Sequence, residues 1–230
     1  YFRDRFAPLA PRPERLRVLF VSPYPVCPPV HGGGVFMYQT LQQLARISEL
    51  HLIALLHYPH ELPAHEPLRK MYASAEFVVK TNARPQSAAS ILPHAVREFA
   101  EEDLLWLIHR QIQTRDIDVV QLEYTPMGQY AGRFRRLVCA LFEHDVYFQS
   151  IARGWSYSPG LAGKLKAGIE YLRALHYETR MLPELDLIQA CSRDNMEHLL
   201  SYVPALAGRI QTGLRAGIDA SAYRYQARGR

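Results

Sequence analysis

Residues 17–47 read RVLFVSPYPVCPPVHGGGVFMYQTLQQLARI. Residues 17–22 are a short run of β-branched and large apolar side chains closed by Ser22, which predicts a strand buried on both faces. Pro23, Pro25, Pro28 and Pro29 then exclude helix or ladder continuation, so a loop follows. His31-Gly32-Gly33-Gly34 comes next. Beyond it Met37, Leu41, Leu44 and Ala45 recur at helical spacing, which starts a helix near Gly34. The unit is therefore strand, long glycine loop, helix. Glycines there let backbone approach a ligand, and the helix N-terminus offers N–H groups to an anion. The plainer alternative is a loop that needs positive φ. The spacing is not the dinucleotide fingerprint G-x-G-x-x-G, and no Gly-Lys-Ser/Thr follows to make a P-loop.

Working outward, strands are expected at 50–56, 76–79, 118–124, 138–142 and 185–191, with a weaker one at 209–214. Between them, helices are expected at 94–114, 127–137 and 160–182, and from Ser192, as N-cap, to near Tyr202. Residues 57–75 read as a proline-broken connection with one short helix near 68–72, and residues 147–159 as a loop. The 160–182 segment carries Leu161, Leu165, Ile169, Leu172, Leu175 and Thr179 as one stripe, the side that such a helix packs inward. Arg133, Arg135 and Arg136 near the end of the 127–137 helix suit its C-terminal dipole and read as a solvated face. Strands alternate with helices and no hairpin turns join them. The fold class is α/β, a doubly wound, mostly parallel, Rossmann-like sheet.

The chain has 230 residues, 48% of them hydrophobic and 21% charged, ordinary values for a globular domain with a sizeable core. A net charge of +5 favours anionic partners. No nucleic-acid motif accompanies it, so nucleic acid is not an expected partner. Cys27, Cys139 and Cys191 form no CxxC, and two fall in expected strands, so buried reduced thiols are the reading. No apolar run approaches the ~20 residues of a membrane span, and no signal peptide is evident. Residues 1–16 read as a Pro- and Arg-rich arm or linker. The start at Tyr1 suggests a fragment or a processed chain.

A doubly wound sheet binds ligands beyond the carboxyl ends of its strands. Those ends supply Ser22, Tyr24, Gly32, Gly33 and Gly34, then Glu123, Tyr124 and Thr125, then Glu143, His144 and Asp145, then Ser192, Arg193 and Asp194. His144 is the sharpest, able to hydrogen-bond a hydroxyl or act as a base near neutral pH. A satisfied structural histidine is the alternative. His57, His60 and His65 match no zinc spacing, so no metal is expected. Asp116-Ile117-Asp118 imitates a metal-binding DxD but sits at the wrong end of its strand, and reads as a turn. No G-x-S-x-G elbow is present, which disfavours an α/β hydrolase.

The ordered set RVLFVSPYP…GGG, His144-Asp145-Val146, Tyr177-Glu178, Leu185-Asp186 to Cys191-Ser192, and Gly217-Ile218-Asp219 resembles the N-terminal domain of GT-B glycosyltransferases of family 4, which are retaining enzymes. Arg215-Ala216 departs from that family's Pro-Asn. The resemblance implies a Rossmann-like acceptor-side domain over 17–223 and a tail at 224–230 leading to a missing C-terminal donor-binding domain. It implies transfer of a hexose from a nucleotide sugar to a glycan or lipid-linked acceptor, with no cofactor or metal. His144 is the implied catalytic residue. Tyr24, Gly32, Gly33, Gly34, Glu123, Tyr124, Asp145 and Ser192 are the implied substrate-binding set. The expected location is cytoplasmic, with peripheral membrane contact through Lys164, Lys166, Arg173 and Arg180 as a further possibility. A non-catalytic Rossmann-like module binding a nucleotide or a partner domain stands as the alternative.

Overall fold

The computed structural model describes residues 14–81, 90–133 and 137–213. The readings of Arg135, Arg136, Arg215-Ala216 and Gly217-Ile218-Asp219 lie outside the described residues, as does the side chain of Arg133. So do most of the arm and the whole tail.

The chain starts in the middle of its sheet. β1 (Arg17–Ser22) is buried at every position after Arg17. α1 (Gly32–Ile47) returns to β2 (Glu49–Leu56), which pairs parallel to β1. The helix begins two residues earlier than its apolar spacing implied, because His31 caps it by accepting a hydrogen bond from Gly34 N at 3.1 Å. The connection at 57–75 holds a 3-10 turn at Pro59–Glu61, then α2 (Leu62–His65) and α3 (Leu68–Met71). β3 (Ser74–Val79) adds to the outer edge of β2.

The expected 94–114 helix is two helices, α4 (His94–Glu98) and α5 (Glu102–Arg115). Tyr130 explains the break. Its hydroxyl donates to Phe99 O at 2.7 Å and accepts from Glu101 N at 3.1 Å, satisfying backbone groups that a continuous helix would have used itself. β4 (Val119–Glu123) then pairs on the other side of β1. Asp116 turns the chain at φ +50°, and Asp118 accepts from Arg17 Nε at 3.0 Å at the amino end of the sheet, so this acidic pair is a structural turn.

The expected 127–137 helix is replaced by 3-10 turns over Thr125–Arg133. Tyr177 donates to Thr125 O and Pro126 O, and Gly128 lies so close to Met181 that a Cβ would overlap its sulfur. Those contacts take the carbonyls and the space that an α-helix would need. β5 (Val138–Glu143) follows, then α6 (Tyr147–Trp155), where the sequence suggested a loop. Its first N–H groups are held by Glu178, with Phe148 N at 3.0 Å and Tyr147 N at 3.3 Å from the carboxylate. The cap comes from thirty residues away, so no local signal announces it.

α7 (Gly160–Met181), β6 (Leu187–Ala190), α8 (Arg193–Tyr202) and β7 (Ile210–Gln211) complete the described chain. The sheet has seven strands in the order β3-β2-β1-β4-β5-β6-β7, all neighbours parallel. The order reverses between β1 and β4, which opens a crevice beyond their carboxyl ends.

α7 docks by a different face from the one its leucines suggested. Ala174, Tyr177, Glu178 and Met181 are buried, whereas Leu161, Leu165, Ile169 and Leu172 are 86, 66, 44 and 62% exposed. Glu178 and Tyr177 can face inward because each finds a hydrogen-bond partner there. The thiols also differ from expectation. Cys139 is buried on β5, but Cys27 is half-buried and Cys191 is exposed just past β6; all three are free.

Two cores result, one per sheet face. One face packs α5, α6, α7 and α8 against Leu19, Ile53, Val120, Leu122, Leu141 and Ile188. The other packs α1 and α3 against Val18, Phe20, Leu50 and Leu52. On this second face a groove of about 920 Å³ runs between α1 and the strands, lined by Gln121, Glu123, Ala140, Phe142, Leu187 and Gln189.

Candidate functional site

The crevice is built from the ends of β4, β5 and β6 and the starts of α1 and α8. β5 delivers His144 just beyond Glu143. β4 delivers Glu123, which is 1% exposed, and Glu123 Oε2 lies 2.7 Å from His144 Nε2. The buried carboxylate is an acceptor, so Nε2–H donates and Nδ1 is left as the free ring nitrogen. Gln121 Nε2 also donates to Glu123, at 3.1 Å. Burial raises the Glu123 pKa, and His144 opposes that rise.

Tyr124 takes a left-handed backbone, φ +68°. Its ring stacks flat on the His144 imidazole, with centroids 3.8 Å apart. Phe36 and Phe142 meet the same imidazole edge-on at 5.4 and 4.5 Å. The histidine is thus fixed on three sides by rings and at one nitrogen by a carboxylate.

A cleft of about 560 Å³ opens beside it, lined by Gly32, Gly33, Phe36, Phe142, His144, Cys191, Ser192, Arg193, Thr212 and Gly213. Two helix N-termini border this space. In α1 the Gly34 N–H is taken by the His31 cap, which leaves the N–H groups of Gly32 and Gly33 without an intrahelical partner. In α8 Ser192 Oγ accepts from Asn195 N at 3.0 Å, leaving the start of that helix in the same state. Both ends carry positive partial charge, and the exposed Arg193 guanidinium, 3.5 Å from the Glu197 carboxylate, borders the same cleft. The arrangement suits an anion with several oxygens, such as a diphosphate.

The structure brings together only part of the sequence-derived set. Gly32, Gly33, His144 and Ser192 line the cleft, and Glu123 and Tyr124 stand directly behind His144. Gly34 is buried against the His31 ring. Asp145 is half-exposed, 3.9 Å from Arg153, and does not line the cleft. Ser22 is buried and bonded to Tyr24 O. The glycines are helical, with no positive φ, so neither turn strain nor a left-handed bend explains them. At Gly33 a Cβ would collide with the Tyr124 hydroxyl, whereas Gly32 has open space around it.

Tyr24 belongs to a second cleft of about 440 Å³, shared with Pro25, Cys27, Val30, His31, His57, His60 and Glu61. It stacks on His57 and meets Phe99 and Tyr124 edge-on. His31 lines this second cleft, and the next two residues, Gly32 and Gly33, line the first. His65 is not available to a ligand: its Nε2 accepts from Val26 N and Cys27 N, and its Nδ1–H donates to Glu61 O. Among the described residues no three His, Cys, Asp or Glu side chains gather as a metal site.

Glu143 and Glu178 form a buried acidic pair that sequence reading missed as a pair. Glu143 accepts from the Thr125 hydroxyl through Oε1, while Oε2 has no partner. Burial, and then Glu178, hold its pKa well above the usual carboxylate range. Burial pushes Glu178 up to about 8 despite its two backbone N–H partners. Glu143 was expected at a strand end and Glu178 within the Tyr177-Glu178 stretch, but nothing local shows that the two side chains turn inward together. Phe36 and Phe142, which wall the cleft, read equally well as core.

No protein-family model matches the sequence, and no curated protein matches it at a significant level. Solved structures do. Sucrose-phosphate synthase from Thermosynechococcus elongatus superposes with a TM-score of 0.58 at 11% identity, over 86% of this chain and 47% of that one. The N-terminal domain of trehalose-6-phosphate phosphatase from Candida albicans gives 0.51 at 14% identity, over 93% and 51%. A further structure of the same synthase gives 0.51 at 12%, over 90% and 92%. This chain therefore spans about half the length of the first of these, 47%. The likeness shows the fold: a Rossmann-like α/β domain of the GT-B kind.

Proposed function

We propose that the chain is the acceptor-side domain of a retaining, family 4 type glycosyltransferase that moves a hexose from a nucleotide sugar to a glycan or lipid-linked acceptor. The observation that carries this is the convergence of two helix N-termini and Arg193 on the cleft walled by the Glu123–His144 pair. The N–H groups of Gly32 and Gly33, the start of α8 and Arg193 receive the negative charge that grows on a departing nucleoside diphosphate. His144 offers Nδ1 to a sugar hydroxyl, and Glu123 fixes its tautomer and angle. The second, ring-lined cleft takes the acceptor. A second domain supplies the rest of the donor site, and the reaction runs in the cytoplasm, with no metal.

The test uses the protein joined to its donor-binding domain. His144→Ala removes one hydrogen bond, costing roughly 0.5–1.5 kcal/mol in ground-state binding and more in kcat if the contact tightens in the transition state. The protein stays folded, with thermal melting as the control. Unchanged kinetics would return His144 to a purely structural role. Nucleotide binding without turnover in the joined protein would point instead to a binding module. The 230-residue chain by itself is expected to turn over no nucleotide sugar.

A further inference from the structure

The outward face of α7 is apolar, and nothing among the described residues covers it. At 100° per residue, Leu161, Leu165, Ile169 and Leu172 fall within about 80° of arc, opposite the docked side formed by Ala174, Tyr177, Glu178 and Met181. These four aliphatic side chains are 44–86% exposed. Cations flank the stripe on both sides: Lys164 on one, Lys166 and Arg180 on the other, all exposed. At the N-terminal end, Trp155 packs over Gly168 of α7 and remains 38% exposed, and Tyr157 is 88% exposed.

We infer that this face of α7 docks the protein on a lipid bilayer carrying anionic headgroups. The stripe is the crest of a convex helix, one side chain wide. Its four aliphatic groups together offer on the order of 450 Å², short of the ~800 Å² per partner of a stable protein interface. A bilayer accepts such a crest readily. The leucines sink to the acyl boundary, the lysine and arginine stems lie along it with their charges at the phosphates, and Trp155 and Tyr157 sit at headgroup depth. No helix of the described chain is long and apolar enough to cross a membrane, so the contact is peripheral. The inference is independent of the transfer reaction, because neither cleft takes part in it.

Vesicle flotation of the 230-residue protein tests it, with phosphatidylcholine alone and with added phosphatidylglycerol, in low and high salt. The expected result is binding to anionic vesicles roughly tenfold stronger than to neutral ones, weakening with salt. Leu165→Gln with Leu172→Gln lowers that binding about tenfold or more with no fall in melting temperature, since both side chains are exposed. Lys164→Gln with Lys166→Gln removes the preference for anionic lipid. In a Trp106→Phe background, Trp155 fluorescence shifts to the blue on vesicle addition. Absence of flotation, or equal flotation of the leucine variant, overturns the inference. So does wild-type self-association that the leucine variant abolishes while vesicles have no effect, which would assign the stripe to a second copy.

Discussion

Gly33 and Tyr124 touch where the first turn of α1 passes the end of β4, and this contact separates two explanations of the glycines. A Cβ at Gly33 meets the Tyr124 hydroxyl, while a Cβ at Gly32 meets nothing within 4 Å. Gly33→Ala is therefore expected to cost about 1–3 kcal/mol of stability through overpacking. Tyr124→Phe in the same molecule should recover part of that loss, measured by urea denaturation. Gly32→Ala should melt as the wild type does, so any loss of nucleotide affinity in that variant reports close approach by a ligand. Equal destabilisation at both positions would contradict this assignment. At Glu123 the expected change is positional. Glu123→Gln keeps an acceptor for His144 Nε2 but loses the charge, and should leave the fold intact while shifting the pH profile of turnover. An unmoved profile would detach Glu123 from the histidine's function. The sequence pointed to His144 and the glycines because strand-end and helix-start positions are readable from periodicity. It could not assign Glu123 to His144, or Tyr124 to Gly33, because those partners meet only after the sheet assembles.

α6 owes its start to Glu178, and that makes the element sensitive to pH. Glu178 has an ordinary value of 4.5 and is pushed up to about 8 by burial. The folded state therefore holds a proton that the unfolded chain releases across that window. Stability is greatest on the acid side and falls as pH rises from about 4.5 toward about 8. Glu143, raised for the same reason and by Glu178 itself, adds in the same direction. Glu178→Gln retains an oxygen for the Tyr147 and Phe148 N–H groups and should flatten this slope, by an amount on the order of a few kcal/mol across the window. Melting temperatures of both proteins at several pH values decide it, and parallel curves would refute it. β1, α1, α5 and the Ser192 cap were legible because their signals are local: an apolar run, helical spacing, a hydroxyl before a helix. α6, the break between α4 and α5, and the 3-10 turns at Thr125–Arg133 were not, since Glu178, Tyr130 and Tyr177 act on them from distant positions. α7 was found as a helix but turned the wrong way, because its longer apolar stripe is not the docked one.

The alternation of strands and helices was enough to give the doubly wound sheet, and hence the end of the molecule where a ligand site forms. The pairing of helix ends around one cleft was not legible, since it depends on β6 lying next to β5 and on where α1 starts. Nor was the uneven covering of the second face, which requires knowing which helices stop short. That unevenness gives the sheet a gradient of rigidity. β1 and β2 are packed from both sides, whereas β6 and the two-residue β7 lie at the far edge beside the open groove. Amide hydrogens on β1 and β2 should exchange with deuterium only through near-global unfolding, and those on β6 and β7 through cheaper local openings. Uniform protection across all seven strands would mean that the groove is filled in solution. The slow-exchanging half anchors the first turn of α1, while the fast-exchanging half carries Ser192 and Arg193. The two walls of the cleft are thus mounted on supports of different stiffness, and a ligand bridging them would tighten the looser side, visible as slowed exchange at β6 and the start of α8 alone.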